Sequence, residues 1–468
     1  LGSDWKTVEL GEVAAVRSGY AFKSSDWKDE GISVVKIANV KGGRLELSGC
    51  SFVDESIASK AGEFQLTVGD ILIAMTGYIG DVARVRKADL PCVLNQRVGK
   101  FSVRDASRLD ANFLYSFLAW SETRQTIEGF GYGSAQPNVS PALIHELEIP
   151  LPPLTEQKAI AHILGTLDDK IELNRRMNAT LEGMAQALFK SWFVDFDPVI
   201  DNALAAGNSI PDELAPRAEV RRQALADGTA NREAAKPFPA AFQQTESMGW
   251  IPEGWEVQPL GEHLDVLESG RRPKGGVSKY ASGIPSVGAE SIFGVGQFNF
   301  GKLKFVPEEF FEKMNSGKVE SYDVLLYKDG GKPGEFKPRS GMYGEGFPFE
   351  SFGINEHVFR LRSSSLGQAF LYYQISSGRV FHHFAVRGGK AAIPGINQKE
   401  VKSVDFLIPT GEIRKDFNDF SQPILKNILK AANQSRMLER LRDTILPKLI
   451  SGELRIPETE QLTEEALA

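Results

Sequence analysis

Residues 151–198 read LPPLTEQKAIAHILGTLDDKIELNRRMNATLEGMAQALFKSWFVDFDP, and the spacing of their apolar side chains decides the fold. Pro152 and Pro153 close whatever precedes them, and Thr155 is a helix starter. Ile160, Ile163, Leu167, Ile171, Met177, Leu181, Met184, Leu188 and Trp192 then recur at nearly heptad spacing, which predicts a helix with one apolar stripe. Gly165 interrupts the pattern early. The reading is therefore a short helix over 155–164 and a long one over 166–192, capped by Thr166 with Asp169 three residues on. The longer piece would extend about 40 Å at the usual helical rise. A stripe of that length needs a partner helix.

A chain of 468 residues is too long for one core and should divide into two or more domains. Hydrophobic content of 42% and charged content of 25% suit a soluble globular protein. No long apolar run exists, and the N-terminus shows no charged-then-apolar signal pattern, so the expected setting is the cytoplasm. Leu1-Gly2-Ser3 reads as a processing remnant and is left out of the fold reasoning. Cys50 and Cys92 are the only cysteines, without metal-ligand spacing, which points to a reducing compartment and no structural zinc. The formal net charge of −7 argues against nonspecific coating of nucleic acid. It is compatible with a specific reader whose basic surface is local.

Residues 4–150 read as a mixed domain of short strands, the best candidates being 33–40, 70–75, 81–85 and 97–103, with a buried helix near 112–120 and a last strand at 147–151. The alanine-rich stretch after residue 201, with charges of alternating sign around Arg217, Glu219, Arg221 and Arg222, is either an extended connector or a short exposed helix with flanking loops. The chain then restarts. Trp255 answers Trp5, Leu260-Gly261-Glu262 answers Leu10-Gly11-Glu12, and Ser269-Gly270 answers Ser18-Gly19. Residues 323–326 answer 70–73, Ile354-Asn355-Glu356 answers Leu94-Asn95-Gln96, and Phe370-Leu371-Tyr372 answers Phe113-Leu114-Tyr115. Phe406-Leu407-Ile408-Pro409 answers Leu147-Glu148-Ile149-Pro150.

A second helical stripe follows the second copy, through Ile413, Phe417, Phe420, Ile424, Ile428, Ala431, Ser435, Leu438, Leu441, Ile445 and Leu449. Ser421 and Pro423 are expected to restart that helix as Gly165 and Thr166 do the first. The fold class is thus α+β: two tandem β-rich domains, each followed by a long helix, the helices pairing as an antiparallel coiled coil with internal pseudo-two-fold symmetry. The expected divisions are 1–150, a helix over 151–197, a linker over 198–247, a second domain over 248–409, a second helix over 410–455 and a tail over 456–468.

Catalytic signatures are missing. There is no Asp-Pro-Pro-Tyr or Asn-Pro-Pro-Tyr string of an amino-methyltransferase, no glycine fingerprint after a strand, no Gly-x-Ser-x-Gly and no His-Glu-x-x-His. Residues 296–302, GQFNFGK, have phosphate-loop spacing, but Leu303 stands where a magnesium-holding hydroxyl belongs, and a β-hairpin is the better reading. Six histidines are too scattered for a metal cluster, and adjacent His382 and His383 point apart on either kind of element.

LPPLTEQKAIA, followed by IL, LD, KIELN and the closing ALFKSWFVDF, resembles the first conserved region of type I restriction–modification specificity subunits. Ile251-Pro252-Glu253-Gly254-Trp255 resembles the entry to their second target-recognition domain, and LRDTILPKLISGE at 441–453 the end of their second conserved region. The resemblance implies a non-catalytic subunit that reads double-stranded DNA as a split sequence, one half per target-recognition domain. Two methyltransferase subunits using S-adenosylmethionine to methylate a flipped adenine, and restriction subunits using ATP and Mg, would be its partners; no cofactor or metal is expected on this chain. A helical spacer of about 40 Å spans roughly one turn of B-DNA, so the expected target is bipartite with a gap of about 6–8 base pairs.

Reading DNA requires basic and polar groups on loops that can approach phosphates and base edges. In the second domain the basic glycine loops carry Arg271, Arg272 and Lys274, then Lys328 and Lys332, then Arg387 and Lys390. The matching loops of the first domain carry Tyr20 and Lys23, then Tyr78, then Tyr132, Ser134 and Gln136. Trp192, Phe193 and Phe196 are more aromatic surface than a two-helix seam requires; they either cover the base of a domain or dock the methyltransferase. Two rivals stand against the DNA reading: a duplicated scaffold that holds two proteins at a fixed separation without touching DNA, and an autonomous methyltransferase or nuclease.

Overall fold

The computed structural model describes residues 5–131, 138–332, 334–389, 394–454 and 456–467. Two compact units result, Leu1–Ile171 with Met437–Ala468, and Glu172–Arg436.

In the first unit the short β-branched runs become strands: β1 (Lys6–Glu9), β2 (Ala14–Ser18), β3 (Ile32–Val35), β4 (Ser51–Val53), β5 (Ile71–Ala74), β6 (Val82–Arg84), β7 (Cys92–Leu94) and β8 (Val98–Val103). The strand expected over 33–40 stops at Val35 because a 3-10 turn, Ile37–Asn39, intervenes. Helix α1 (Ala111–Ala119) starts at Asp110, whose carboxylate accepts from Asn112 N and Phe113 N, and α2 (Ser121–Phe130) follows. Strand β9 (Glu148–Leu151) returns to pair antiparallel with β1. Four strands form an antiparallel sheet in the order β2-β8-β5-β6, and three form a mixed sheet in the order β4-β3-β7. All four residues of β5 are buried, which makes it a central strand with no solvent face.

Three helices come next: α3 (Leu154–Phe193), α4 (Asp197–Ala206) and α5 (Ala215–Ala226). The stretch left open between connector and exposed helix thus has helical structure. The charges of α5 are not all surface decoration. Arg217 grips Asp197 with Nε and Nη2 at 2.6 and 2.7 Å, and Arg221 grips Asp201 at 2.8 and 2.5 Å, both carboxylates being buried.

The second unit repeats the main sheets of the first: β10 (Glu256–Pro259), β11 (Val266–Ser269), β12 (Ile284–Val287), β13 (Lys304–Val306), β14 (Val324–Tyr327), β15 (Ser340–Met342), β16 (Gly353–Ile354) and β17 (Val358–Arg362). Helices α6 (Gln368–Ile375) and α7 (Gly378–Gly388) stand where α1 and α2 stand, and β18 (Asp405–Ile408) pairs with β10 as β9 does with β1. The sheet orders β11-β17-β14-β15 and β13-β12-β16 match those of the first unit, down to one parallel pair in the three-stranded sheet. The internal repeat read from the sequence is a repeat of topology. Residues 296–302 do not form the expected hairpin: one isolated bridge, Ile292 to Phe298, and a 3-10 turn at Phe300–Lys302 carry them, with Phe298 and Phe300 packed against Phe349.

Helix α8 (Gly411–Ile450) follows, then α9 (Ile456–Leu467), whose Ile456, Ala466 and Leu467 pack on the first unit's core. Neither long helix breaks where the sequence suggested. Gly165 lies inside α3 with open space around its missing Cβ, between core residues Ile163, Leu164 and Leu167. A helical glycine costs only about 1 kcal/mol, which that packing outweighs. Pro423 is likewise carried inside α8 between buried Phe417 and Ile424.

The two helices run antiparallel within each unit. In the second, Asn174 Nδ2 donates to Gln434 Oε1 at 3.0 Å while Asn178 Nδ2 donates to Ile428 O at 3.1 Å. In the first, Arg442 meets Asp168 at 2.7 Å, and Leu438, Ile445 and Leu449 share a core with Ile160, Ile163 and Leu167. The apolar stripe as read goes astray after Ile171, since Met177 and Met184 are exposed. The buried positions run through Asn174, Ala185, Phe189 and Phe193 instead, and a polar residue in the seam is invisible to an apolar pattern. Among the described residues, no helix is long and apolar enough to cross a membrane.

Candidate nucleic-acid interface

In both units, strands of the four-stranded sheet deliver glycine loops to one place. Gly19 and Gly270 each follow the strand that opens a four-stranded sheet. A Cβ on Gly19 would sit 2.5 Å from Leu94 O, and one on Gly270 would sit 1.6 Å from Ile354 O, so only glycine lets the loop lie on the strand behind it.

In the second unit this contact starts a cluster. Gly270 N donates to Asn355 O at 3.2 Å. Arg272 Nε lies 3.0 Å from Glu356 Oε2. Lys328, just past β14, donates from Nζ to Glu356 O at 3.0 Å and from its backbone N to His357 O at 2.9 Å. Gly330 N donates to Pro394 O at 2.8 Å and Ile396 N to Lys328 O at 2.7 Å, which ties in the segment after α7. The three basic loops expected from the sequence are therefore one surface. Arg271, Lys274, Lys332 and Arg387 are exposed there and make no ion pair among the described residues. Lys390 lies outside the described residues.

The first unit assembles the same segments with different chemistry. Tyr20 N donates to Leu94 O at 2.8 Å, and Gln96 N returns to Tyr20 O at 2.9 Å. Met75 N reaches Arg97 O at 3.2 Å, Thr76 Oγ1 bonds Asn138 Oδ1 at 2.6 Å, and Val139 N donates to Met75 O at 2.9 Å. Tyr20 packs edge-on against Phe22, Lys23 is exposed, and Tyr78 is half-exposed with Lys41 Nζ 6.0 Å from its ring centre. Tyr132, Ser134 and Gln136 lie outside the described residues.

Sequence reasoning missed the residues that support these loops. Glu356, His357 and Asp329 in the second unit, and Gln96 with Arg97 in the first, sit in the turns that support the loops. Arg339, stacked 4.9 Å over Tyr327 and 5.5 Å from the ring of exposed Phe293, was also missed. The recurrence of Leu-Asn-Gln as Ile-Asn-Glu marked the place without showing that it faces the loops.

The aromatic trio at the end of α3 needs correction as a docking surface. Phe193 and Phe196 are buried and Trp192 is partly buried, all in the second unit's core with Trp255, Phe370 and Phe417. Covering the base of the domain accounts for them. Phe196 even takes a left-handed backbone (φ 56°) at the start of α4, its ring 6.0 Å from Trp255.

A family model described as the type I restriction modification DNA specificity domain matches residues 2–183. The MjaIX specificity subunit of Methanocaldococcus jannaschii is 25% identical over 396 residues, covering 83% of this chain and 78% of the relative. The StySPI specificity subunit of Salmonella potsdam is 23% identical over 97% of this chain and 90% of its own length. Among solved structures, the S subunit of a type I restriction–modification system from M. genitalium aligns with a TM-score of 0.52 and 15% identity over 95% of this chain and 96% of that one, which is a likeness of fold.

Proposed function

We propose that this chain is a type I restriction–modification specificity subunit, non-catalytic as such subunits are, and that it reads a bipartite DNA target, one half-site per unit. The observation that carries this reading is the recurrence of one loop cluster at the same point of two units of identical sheet order. A split target needs two such surfaces. Unpaired Arg271, Lys274, Lys332 and Arg387 suit phosphate contact, and Tyr20 and Tyr78 offer polar and apolar contact in the other half.

The gap between the half-sites is expected to be about 6–8 base pairs, roughly one turn of B-DNA less part of each half-site. Leu173, Met177 and Met184 are exposed on one face of α3, at spacings of four and seven. That face, rather than the buried trio, is the surface we assign to a methyltransferase subunit. The partner would carry S-adenosylmethionine, and restriction subunits would carry ATP and Mg; the assembly would work in the cytoplasm. Mapping methylated adenines in cells that express this chain with its methyltransferase tests the reading. Two short motifs separated by a fixed nonspecific gap are expected. One continuous motif, or none together with no gel shift of target duplex, would reject it in favour of the scaffold.

A further inference from the structure

Resting on that reading of the loop cluster, we propose that Glu356 is a positioning residue that presents Arg272 to a guanine in the half-site read by the second unit.

Arg272 meets Glu356 as an ion pair: Nε lies 3.0 Å from Oε2, an oxygen that is closed off from solvent and accepts no hydrogen bond. Among the described residues its two Nη groups make no hydrogen bond, and Glu290 is a second carboxylate whose charge acts on Arg272. With Nε held against the carboxylate by charge alone, the two Nη groups are left as a two-pronged donor. The base edge that offers two acceptors to such a fork is that of guanine, through N7 and O6. Adenine sets a donor beside its acceptor, and thymine sets a methyl group beside its own.

The carboxylate is itself held. Glu356 Oε1 lies 3.4 Å from His357 Nε2, and the other ring nitrogen of His357 pairs with Asp329. Asp329 Oδ2 lies 3.3 Å from Lys328 Nζ, which donates back to Glu356 O at 3.0 Å. Two loops and a turn are thereby joined, and Arg272 is the member with hydrogens to spare.

The first unit supplies an internal control. Counting from Ser18-Gly19 and Ser269-Gly270, Ala21 stands at the place of Arg272, and Gln96 stands at the place of Glu356. The turn keeps its shape: Asn95 Oδ1 accepts from Arg97 N at 3.3 Å as Asn355 Oδ1 accepts from His357 N at 2.9 Å. The turn therefore does not require a carboxylate. The acid accompanies the arginine, as expected if its role is to aim it.

The test uses the full chain with its methyltransferase subunit, in wild-type form and as Arg272→Lys and Glu356→Gln. Methylated sites are mapped, and binding is measured to duplexes carrying each base at every position of the second half-site. The wild type should show a guanine in that half-site. Both variants should lose discrimination at that one position by roughly 10- to 100-fold, leaving the first half-site motif unchanged. Arg272→Lys keeps the charge, so the salt dependence of binding should hold within about one counterion of wild type. A wild-type half-site without guanine, or discrimination retained in either variant, overturns the proposal. Equal loss at both half-sites also overturns it, by assigning the pair a purely structural role. Failure of the DNA reading itself is told apart, because the wild type then shows neither a motif nor duplex binding.

Discussion

Replacing Phe193 by alanine separates the two roles open to the aromatic end of α3. The Phe193 ring lies 5.1 to 6.0 Å from those of Phe370, Phe417, Phe189, Trp255 and Trp192, at the centre of the second unit's core. Truncating such a side chain loses its transfer free energy and leaves a cavity that five rings cannot readily close, a cost of about 3–5 kcal/mol. For a unit of this size, that lowers the melting midpoint by on the order of 10 °C. Trp192 and Trp255 both border the site, so tryptophan fluorescence on heating reports the loss, and hydrogen exchange should place it between 172 and 436. Val194, half-exposed beside it, is the control, and Val194→Ala should stay within about 0.5 kcal/mol of wild type. If Phe193→Ala melts like the wild type and fails instead to retain its methyltransferase partner, the assignment of this ring to the core is wrong.

Three further outcomes are expected. Arg221→Ala leaves the Asp201 carboxylate buried without its partner and should cost about 3–5 kcal/mol by chemical denaturation, while adding Asp201→Ala should return part of it. Gly270→Ala drives a Cβ into Ile354 O and should cost about 3 kcal/mol or more and abolish reading of the second half-site, whereas Gly411→Ala, with open space around it, should change stability by less than about 0.5 kcal/mol. His145 accepts a hydrogen bond from Val16 N at Nε2, 3.0 Å away, and burial, then Arg104, hold its pKa below the ordinary 6.5. Its contribution is therefore complete above that value and lost as pH falls through the lower folded pKa, so the first unit's melting midpoint should drop between about pH 7 and 5, and His145→Gln should flatten that slope.

What the sequence shows and what it hides divide along a physical line. Strands such as β5 and β14 are runs of buried apolar residues bounded by turns, a local signal, and their recurrence in matching order made the repeat readable. The breaks assigned to Gly165 and Pro423 followed propensity, and tertiary packing overrode it. The seam between the long helices passes through Asn174 and Asn178, whose amides are satisfied by residues far along the chain, so hydrophobic periodicity slid one position onto Met177. At the candidate interface, the glycines and cations were visible because loops advertise them. Glu356 and His357 were not, because what matters about them is a contact with Arg272 and Asp329 that exists only once the strands have been laid side by side.

The first unit draws on both ends of the chain. Leu438, Ile445, Leu446, Leu449 and Ile450 close a core begun by Leu10, Val13 and Phe113. During synthesis, everything from Glu172 to Arg436 must emerge before those residues exist, which at roughly 5–20 residues per second takes on the order of tens of seconds. The unit made first is thus completed last. A ribosome that stops early leaves an N-terminal unit whose apolar face is open to chaperones and proteases, so a message truncated near its end would spoil the unit encoded at its beginning.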